Sequence, residues 1–111
     1  MDILTVFTAE APAPGGHYSQ AIVHGGLVFV SGQLAIDAAT GEKRTGPIEE
    51  QTQLVLENLE RIVIAAGSDL SRILKTTIYI SDIGLWGNVN AVYARFMGDN
   101  RPARSVVPTR D

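Results

Sequence analysis

An arginine that enters a strand behind a proline holds its guanidinium in a defined place, and Arg101-Pro102-Ala103-Arg104-Ser105 has that arrangement. A planar guanidinium offers two parallel N–H groups to a carboxylate, so an arginine of this stretch can present a rigid fork to one. A surface ion pair fits the same spacing. Tyr18-Ser19-Gln20 follows a Pro- and Gly-rich loop, with His17 just before it. At such a junction Tyr18 can offer its hydroxyl to a ligand or to water, and a ring packed at a sheet end fits as well. Ser31-Gly32-Gln33 closes an apolar run; the glycine either lets a ligand reach main-chain N–H groups or marks a bulge. Asn90 lies in a stretch of helical spacing, on the side near Trp86 and Tyr93, where an asparagine faces water or has a partner. His17 and His24 have no carboxylate between them at metal-ligand spacing, so no metal site is expected.

Composition narrows the chemistry further. The 111 residues carry 9 basic and 12 acidic side chains, a net charge of −3, and no cysteine. That excludes disulfides, zinc–thiolate sites, iron–sulfur clusters and thiol nucleophiles, leaving oxygen and nitrogen groups to do any chemistry. An acidic chain without a basic stripe is poorly suited to nucleic acid. No dinucleotide, phosphate-loop, nucleophile-elbow or HExxH motif occurs. The first residues, Met1-Asp2-Ile3-Leu4, place an acid where a secretion leader carries positive charge, and no apolar run approaches the roughly 18 residues of a membrane span. The expectation is a soluble cytoplasmic protein of one domain, residues 1–111, without membrane partners.

The elements that must position these residues follow from hydrophobic period. Ile3 to Phe7 predicts a short strand. Ser19 to Val23 and Leu27 to Val30, separated by His24-Gly25-Gly26, predict a hairpin whose second arm runs on through Gln33 to Ile36 before a turn at Asp37 to Gly41. Glu49 to Ala66 is helical, with Val55, Leu56, Leu59, Ile62, Val63 and Ala66 on one stripe and Gly67 as its stop. Ile73 to Ile80 reads as a strand, Leu85 to Phe96 as a second helix stopped by Gly98, and Ala103 to Val107 as a last strand. The order is β-ββ-α-β-α-β. Strands such as Leu27-Val28-Phe29-Val30 are apolar on both faces, which two helices on one side cannot cover; a second copy of the chain is the simplest cover.

Taken together, several strings carry a resemblance. Tyr18-Ser19-Gln20-Ala21, Val28-Phe29-Val30-Ser31-Gly32-Gln33, Gly41-Glu42, Ile48-Glu49-Glu50-Gln51-Thr52, Leu56-Glu57-Asn58-Leu59, Ala65-Ala66-Gly67-Ser68, Lys75-Thr76-Thr77, Val89-Asn90-Ala91-Val92-Tyr93 and Pro102-Ala103-Arg104-Ser105 stand in one order over nearly the whole chain. In them the sequence closely resembles the Rid family, the reactive intermediate deaminases also called YjgF-like.

The resemblance implies a chorismate-mutase-like α+β fold, with a mixed sheet and two helices packed on one face. It also implies a homotrimer with clefts between neighbouring subunits. The implied activity is that of a 2-iminobutanoate/2-iminopropanoate deaminase-like hydrolase, converting 2-imino acids or their enamine tautomers to 2-keto acids and ammonia. Carried over by position, Arg104 is the expected substrate-carboxylate clamp, and Tyr18, Ser31, Gly32 and Asn90 line the same cleft. The expected catalytic residues are therefore Arg104 and Tyr18, and the expected substrate contacts Arg104, Ser31, Gly32, Asn90 and Val106. Neither metal nor organic cofactor is implied, because an imine is already electrophilic and needs mainly orientation, proton transfer and an ordered water.

The sequence departs from the family pattern in three places. His17 stands where members commonly have proline, and Val106 where some have cysteine, its backbone N–H still available to a ligand. Members also continue into a final strand bearing a glutamate proposed to activate water, which has no counterpart up to Asp111. The expectation for residues 1–111 is thus a fold without that strand, binding small 2-keto acids through Arg104 and turning imines over weakly. Two other readings compete: a small-carboxylate-binding or interaction module without catalysis, and an endoribonuclease or translation inhibitor, the latter disfavoured by the charge.

Overall fold

The computed structural model describes residues 2–110; Met1 and Asp111, which enter the leader and chain-end readings, lie outside them. Seven elements follow one another: β1 (Leu4–Val6), β2 (Ala21–His24), β3 (Leu27–Val30), α1 (Ile48–Ala65), β4 (Lys75–Ile80), α2 (Trp86–Met97) and β5 (Ala103–Pro108). The α+β succession agrees with the periodicity. Two boundaries move, because short 3₁₀ turns at Leu70–Arg72 and Ile83–Leu85 precede β4 and α2. Each turn is nucleated by an aspartate: Asp69 accepts the Ser71 N–H and Asp82 the Gly84 N–H.

Both senses of strand pairing occur. β1, β2 and β3 form an antiparallel ladder in which Ala21 pairs with Val6 on one side and Val30 on the other. His24 pairs with Leu27 across a two-residue turn, and Gly25 and Gly26 both take positive φ, 60° and 78°. Only a primed turn with this twist joins such arms tightly, so these two positions call for glycine. β4 and β5 are parallel, with Thr76 opposite Arg104 and Ile78 opposite Val106. α2 is the crossover that lets two parallel strands lie side by side.

The hairpin's second arm does not run on to Ile36. β3 ends at Val30, and Ile36 makes only an isolated bridge to Lys43. The cause lies in α1: fully buried Asn58 donates its amide to the carbonyls of Ile36 at 2.9 Å and Leu34 at 3.4 Å. These acceptors are turned toward the helix rather than toward a strand. The chain then reverses through Asp37, whose carboxylate accepts the Ala39 and Thr40 N–H groups and pairs with Arg44 at 2.7 Å. The Arg44 guanidinium, followed by those two N–H groups, holds the Asp37 carboxyl below its ordinary value.

The helices share one side of the strands. Ile62 of α1 is buried against Val6, Ala11 and Ala21, with Val23, Val28 and Val30 around them. Six residues earlier, Leu56 joins Val92, Tyr93 and Met97 of α2 in a second cluster that Ile73 and Ile78 border. α1 thus carries both cores. Of the expected stripe, Leu56, Ile62 and Val63 are buried and Val55, Leu59 and Ala66 half-buried, while Asn58 is buried in place of an apolar residue. The helix closes where Gly67 adopts φ 89°, with Gly67 N–H on Ile64 O and Ser68 N–H on Val63 O, a Schellman cap. Asn88 of α2 donates to Glu49 in the first turn of α1 at 2.8 Å, which holds that carboxyl below its ordinary value. On the far side of the strands Phe7, Phe29 and Tyr79 are 66%, 57% and 69% exposed in the single chain. No helix among the described residues is long and apolar enough to cross a membrane.

Candidate functional site

Arg104 is the second residue of β5, and the alternation of that strand turns its side chain toward α2. There it meets one face of the helix. Trp86, Asn90 and Tyr93 recur at i, i+4 and i+7, so they stand one above another. Arg104 Nη1 donates to Asn90 Oδ1 at 2.9 Å. The guanidinium carbon lies 4.6 Å from the centroid of the Trp86 ring and 4.8 Å from that of Tyr93. Contacts of this kind are each worth about 0.5–2 kcal/mol, depending on how far water is excluded. The Tyr93 hydroxyl bonds the Thr76 hydroxyl at 2.9 Å, and Thr76 is the register partner of Arg104. Strand, helix and strand are therefore braced at one level.

Among the described residues Arg104 has no carboxylate within salt-bridge distance. The surface-pair alternative is not realised, and Asn90 has a partner rather than water alone. The Nε and Nη2 donors make no bond to the described protein and are directed to solvent or a ligand. Beside them opens a cleft of about 450 Å³ bordered by Asn90, Tyr93, Met97, Asn100, Arg101 and Arg104. Val106, half-buried two residues on, does not border this cleft. Ala103 N–H bonds Leu74 O and Thr109 N–H bonds Ile80 O, so alternate residues of β5 face β4. Val106 lies between them in the alternation, and its N–H points to the strand's other edge.

The remaining expected residues gather elsewhere. Ser31 donates its hydroxyl to Ser19 O at 2.6 Å and its N–H to Gln20 O at 3.0 Å, which puts Ser31 and Gly32 beside the start of β2. Tyr18 is exposed, and its hydroxyl accepts the Gly15 N–H at 3.1 Å, leaving its own O–H free to donate. Its ring lies beside Gly16, where an added Cβ would come within 3.6 Å of it. The loop before it is held by Gln20, whose buried side chain accepts the Thr8 N–H at 2.7 Å and donates to the carbonyls of Thr8 and Pro12 at 3.0 Å each. Gly32 has no positive φ, and a Cβ there would meet nothing within 4 Å. Nothing within the described chain requires glycine at that position. Among the described residues no three His, Asp or Glu side chains converge on a metal-sized site.

Comparison with known proteins decides the family. The profile described as Endoribonuclease L-PSP matches residues 8–111. The chain belongs to this YjgF/Rid family. It is 45% identical over 102 residues to a RutC family protein of Pyrococcus horikoshii, covering 92% of this chain and 81% of that one. It is 38% identical over 100 residues to the 2-iminobutanoate/2-iminopropanoate deaminase of Rattus norvegicus, covering 90% and 73% of the two chains. The structure of E. coli TdcF with bound serine superposes with a TM-score of 0.91 at 35% identity, over 96% of this chain and 85% of that one.

In this Rid chain the expected site residues thus form two groups, Arg104 with Asn90, and Tyr18 with Ser31 and Gly32, while Val106 stands outside the first group's cleft. No hydrogen bond or ring contact joins the two groups among the described residues. Sequence reasoning did not give Trp86, Tyr93 or Thr76 a role. The i, i+4, i+7 spacing around Asn90 was a usable signal for the first two, whereas Thr76 needed the parallel register of β4 and β5.

Proposed function

We propose that the protein hydrolyses 2-imino acids and their enamine tautomers to 2-keto acids and ammonia in the cytoplasm. The observation that carries this reading is Arg104: a guanidinium oriented by an amide and two rings, not by an acid, with two neighbouring donors unused. Such a fork suits a small planar carboxylate. The likeness to a deaminase named for 2-iminobutanoate and 2-iminopropanoate supplies the rest of the substrate.

In the proposed reaction the Arg104 fork fixes the carboxylate, so that the adjacent imine carbon stands at a set distance from a water. Water oxygen bonds to that carbon, the C–N π electrons go to nitrogen with a proton, and the tetrahedral adduct loses ammonia to leave the keto group. One water is consumed and no electrons are exchanged. Tyr18, through its free O–H, and the exposed main chain at Gly32 are the groups we assign to the water and the nitrogen side. Val106 N–H is assigned to the substrate carboxylate.

Because the two groups are not joined within one chain, the proposed site takes Arg104 and Asn90 from one subunit and Tyr18, Ser31 and Gly32 from its neighbour in a homotrimer. The exposed Phe29 and Tyr79 faces support an assembly, since patches of this kind are normally covered. The test is ammonia release from freshly generated 2-iminopropionate. Arg104→Ala is expected to lower kcat/KM by at least about 100-fold, and Arg104→Lys, which keeps charge without the fork, nearly as much. Wild-type turnover in Arg104→Ala sinks the reading, and pyruvate binding without turnover in the intact protein makes it a binding module instead.

A further inference from the structure

We propose that Trp86 and Tyr93 are positioning residues that hold the Arg104 guanidinium in one orientation without a carboxylate partner, its Nε–Nη2 edge open to the cleft. The inference rests on the carboxylate reading above and goes beyond it in naming what presents the fork. An exposed arginine ordinarily samples many rotamers, and each immobilised one loses conformational entropy when a ligand arrives. Here that loss is taken on folding. Two rings whose Cα atoms are about 10.5 Å apart along the helix both lie under 5 Å from the guanidinium carbon, so the group rests on both. The rings fix its position, and the Asn90 oxygen takes one N–H. The directions left open are in the plane, at Nε and Nη2.

The choice of partners has a chemical consequence. A carboxylate holding Arg104 would orient it equally well and neutralise it, whereas a ring quadrupole and an amide oxygen orient it and leave its charge for the ligand. The frame is itself tied down. Tyr93 is buried and its hydroxyl is fixed by Thr76, while Trp86 is half-buried at the first turn of α2. Trp86 is therefore the member whose ring can be removed with least disturbance to the core. It is also the sole tryptophan of the chain, so its fluorescence reports on this one place.

The test uses the full chain and three readouts. Pyruvate, the keto acid of the proposed reaction, is expected to change Trp86 emission saturably. Trp86→Phe, which keeps a ring, is expected to hold kcat/KM for 2-iminopropionate within about threefold, while Trp86→Leu lowers it about tenfold, mainly through KM, in a protein that still unfolds cooperatively at a modestly lower midpoint. In an Arg104→Ala background the same Trp86→Leu change is expected to alter kcat/KM less than twofold, because its effect passes through the guanidinium. Separately from any substrate, the Arg104 Nε–H resonance is expected to be ring-shifted in the intact protein and in Trp86→Phe, and to move in Trp86→Leu. If that resonance is the same in all three proteins, or if Trp86→Leu is as costly without Arg104 as with it, the positioning role is overturned. If Arg104→Ala leaves pyruvate affinity untouched, the carboxylate reading falls, and the Nε–H resonance alone then decides whether the rings hold the guanidinium.

Discussion

At position 90 an amide orients Arg104 where an acid would neutralise it, and the difference is one atom. Asn90→Asp keeps the side-chain length and the 2.9 Å contact to Nη1 while turning a hydrogen bond into an ion pair. The introduced carboxylate then competes with substrate for the same guanidinium. We expect pyruvate affinity to fall at least tenfold at neutral pH with the unfolding midpoint unchanged or raised. Paired with Arg104, the new carboxyl stays ionised below the ordinary aspartate range, so lowering the pH to about 4 should restore little of the affinity. A titration calorimetry series over that pH range checks both parts. Undiminished affinity at neutral pH would mean that substrate does not use the Arg104 fork.

Elements were legible wherever the hydrophobic period belonged to the element itself. α1 and α2 came from their own spacing, Gly67 marked the end of α1, and Gly25-Gly26 marked the hairpin. The end of β3 was not legible, because it is set by Asn58, which stands 22 residues after Ile36 and reads as an ordinary helix-surface amide. The same limit hid Thr76, whose relation to Arg104 exists only through the parallel register. Arg104 and Asn90 were legible as types at a strand entry and on a helix, but not as partners. Asn58 gives this limit a measurable form. Asn58→Ala leaves the Ile36 carbonyl without its side-chain donor, while the Leu34 carbonyl keeps the Ile36 N–H, and it opens a cavity in α1's buried face. The expected loss is about 2–4 kcal/mol, read as a lower denaturant midpoint at unchanged slope. A loss under about 0.5 kcal/mol would show that the Ile36 carbonyl finds another donor and that Asn58 does not set the course of the chain after β3.

For the whole molecule the division of the site residues into two groups is the feature with most consequence. If Arg104 of one subunit works with Tyr18 of its neighbour, Tyr18→Ala and Arg104→Ala variants are each impaired but complementary. An interface regains a complete site when its arginine comes from the Tyr18→Ala chain and its tyrosine from the Arg104→Ala chain. Random exchange of equal amounts brings those two chains together in the right order at about one interface in four, since a heterologous ring fixes which side of each subunit faces which. Mixing the variants under conditions that allow subunit exchange should therefore restore about a quarter of wild-type turnover, from a species that sediments as a trimer. The exposed faces around Phe29 and Tyr79 supply the apolar surface that such an assembly would bury. Activity no greater than the sum of the two separate variants, in a mixture shown to have exchanged subunits, would place Tyr18 and Arg104 in the same chain's site. A stable monomer at micromolar concentration would remove the shared site altogether.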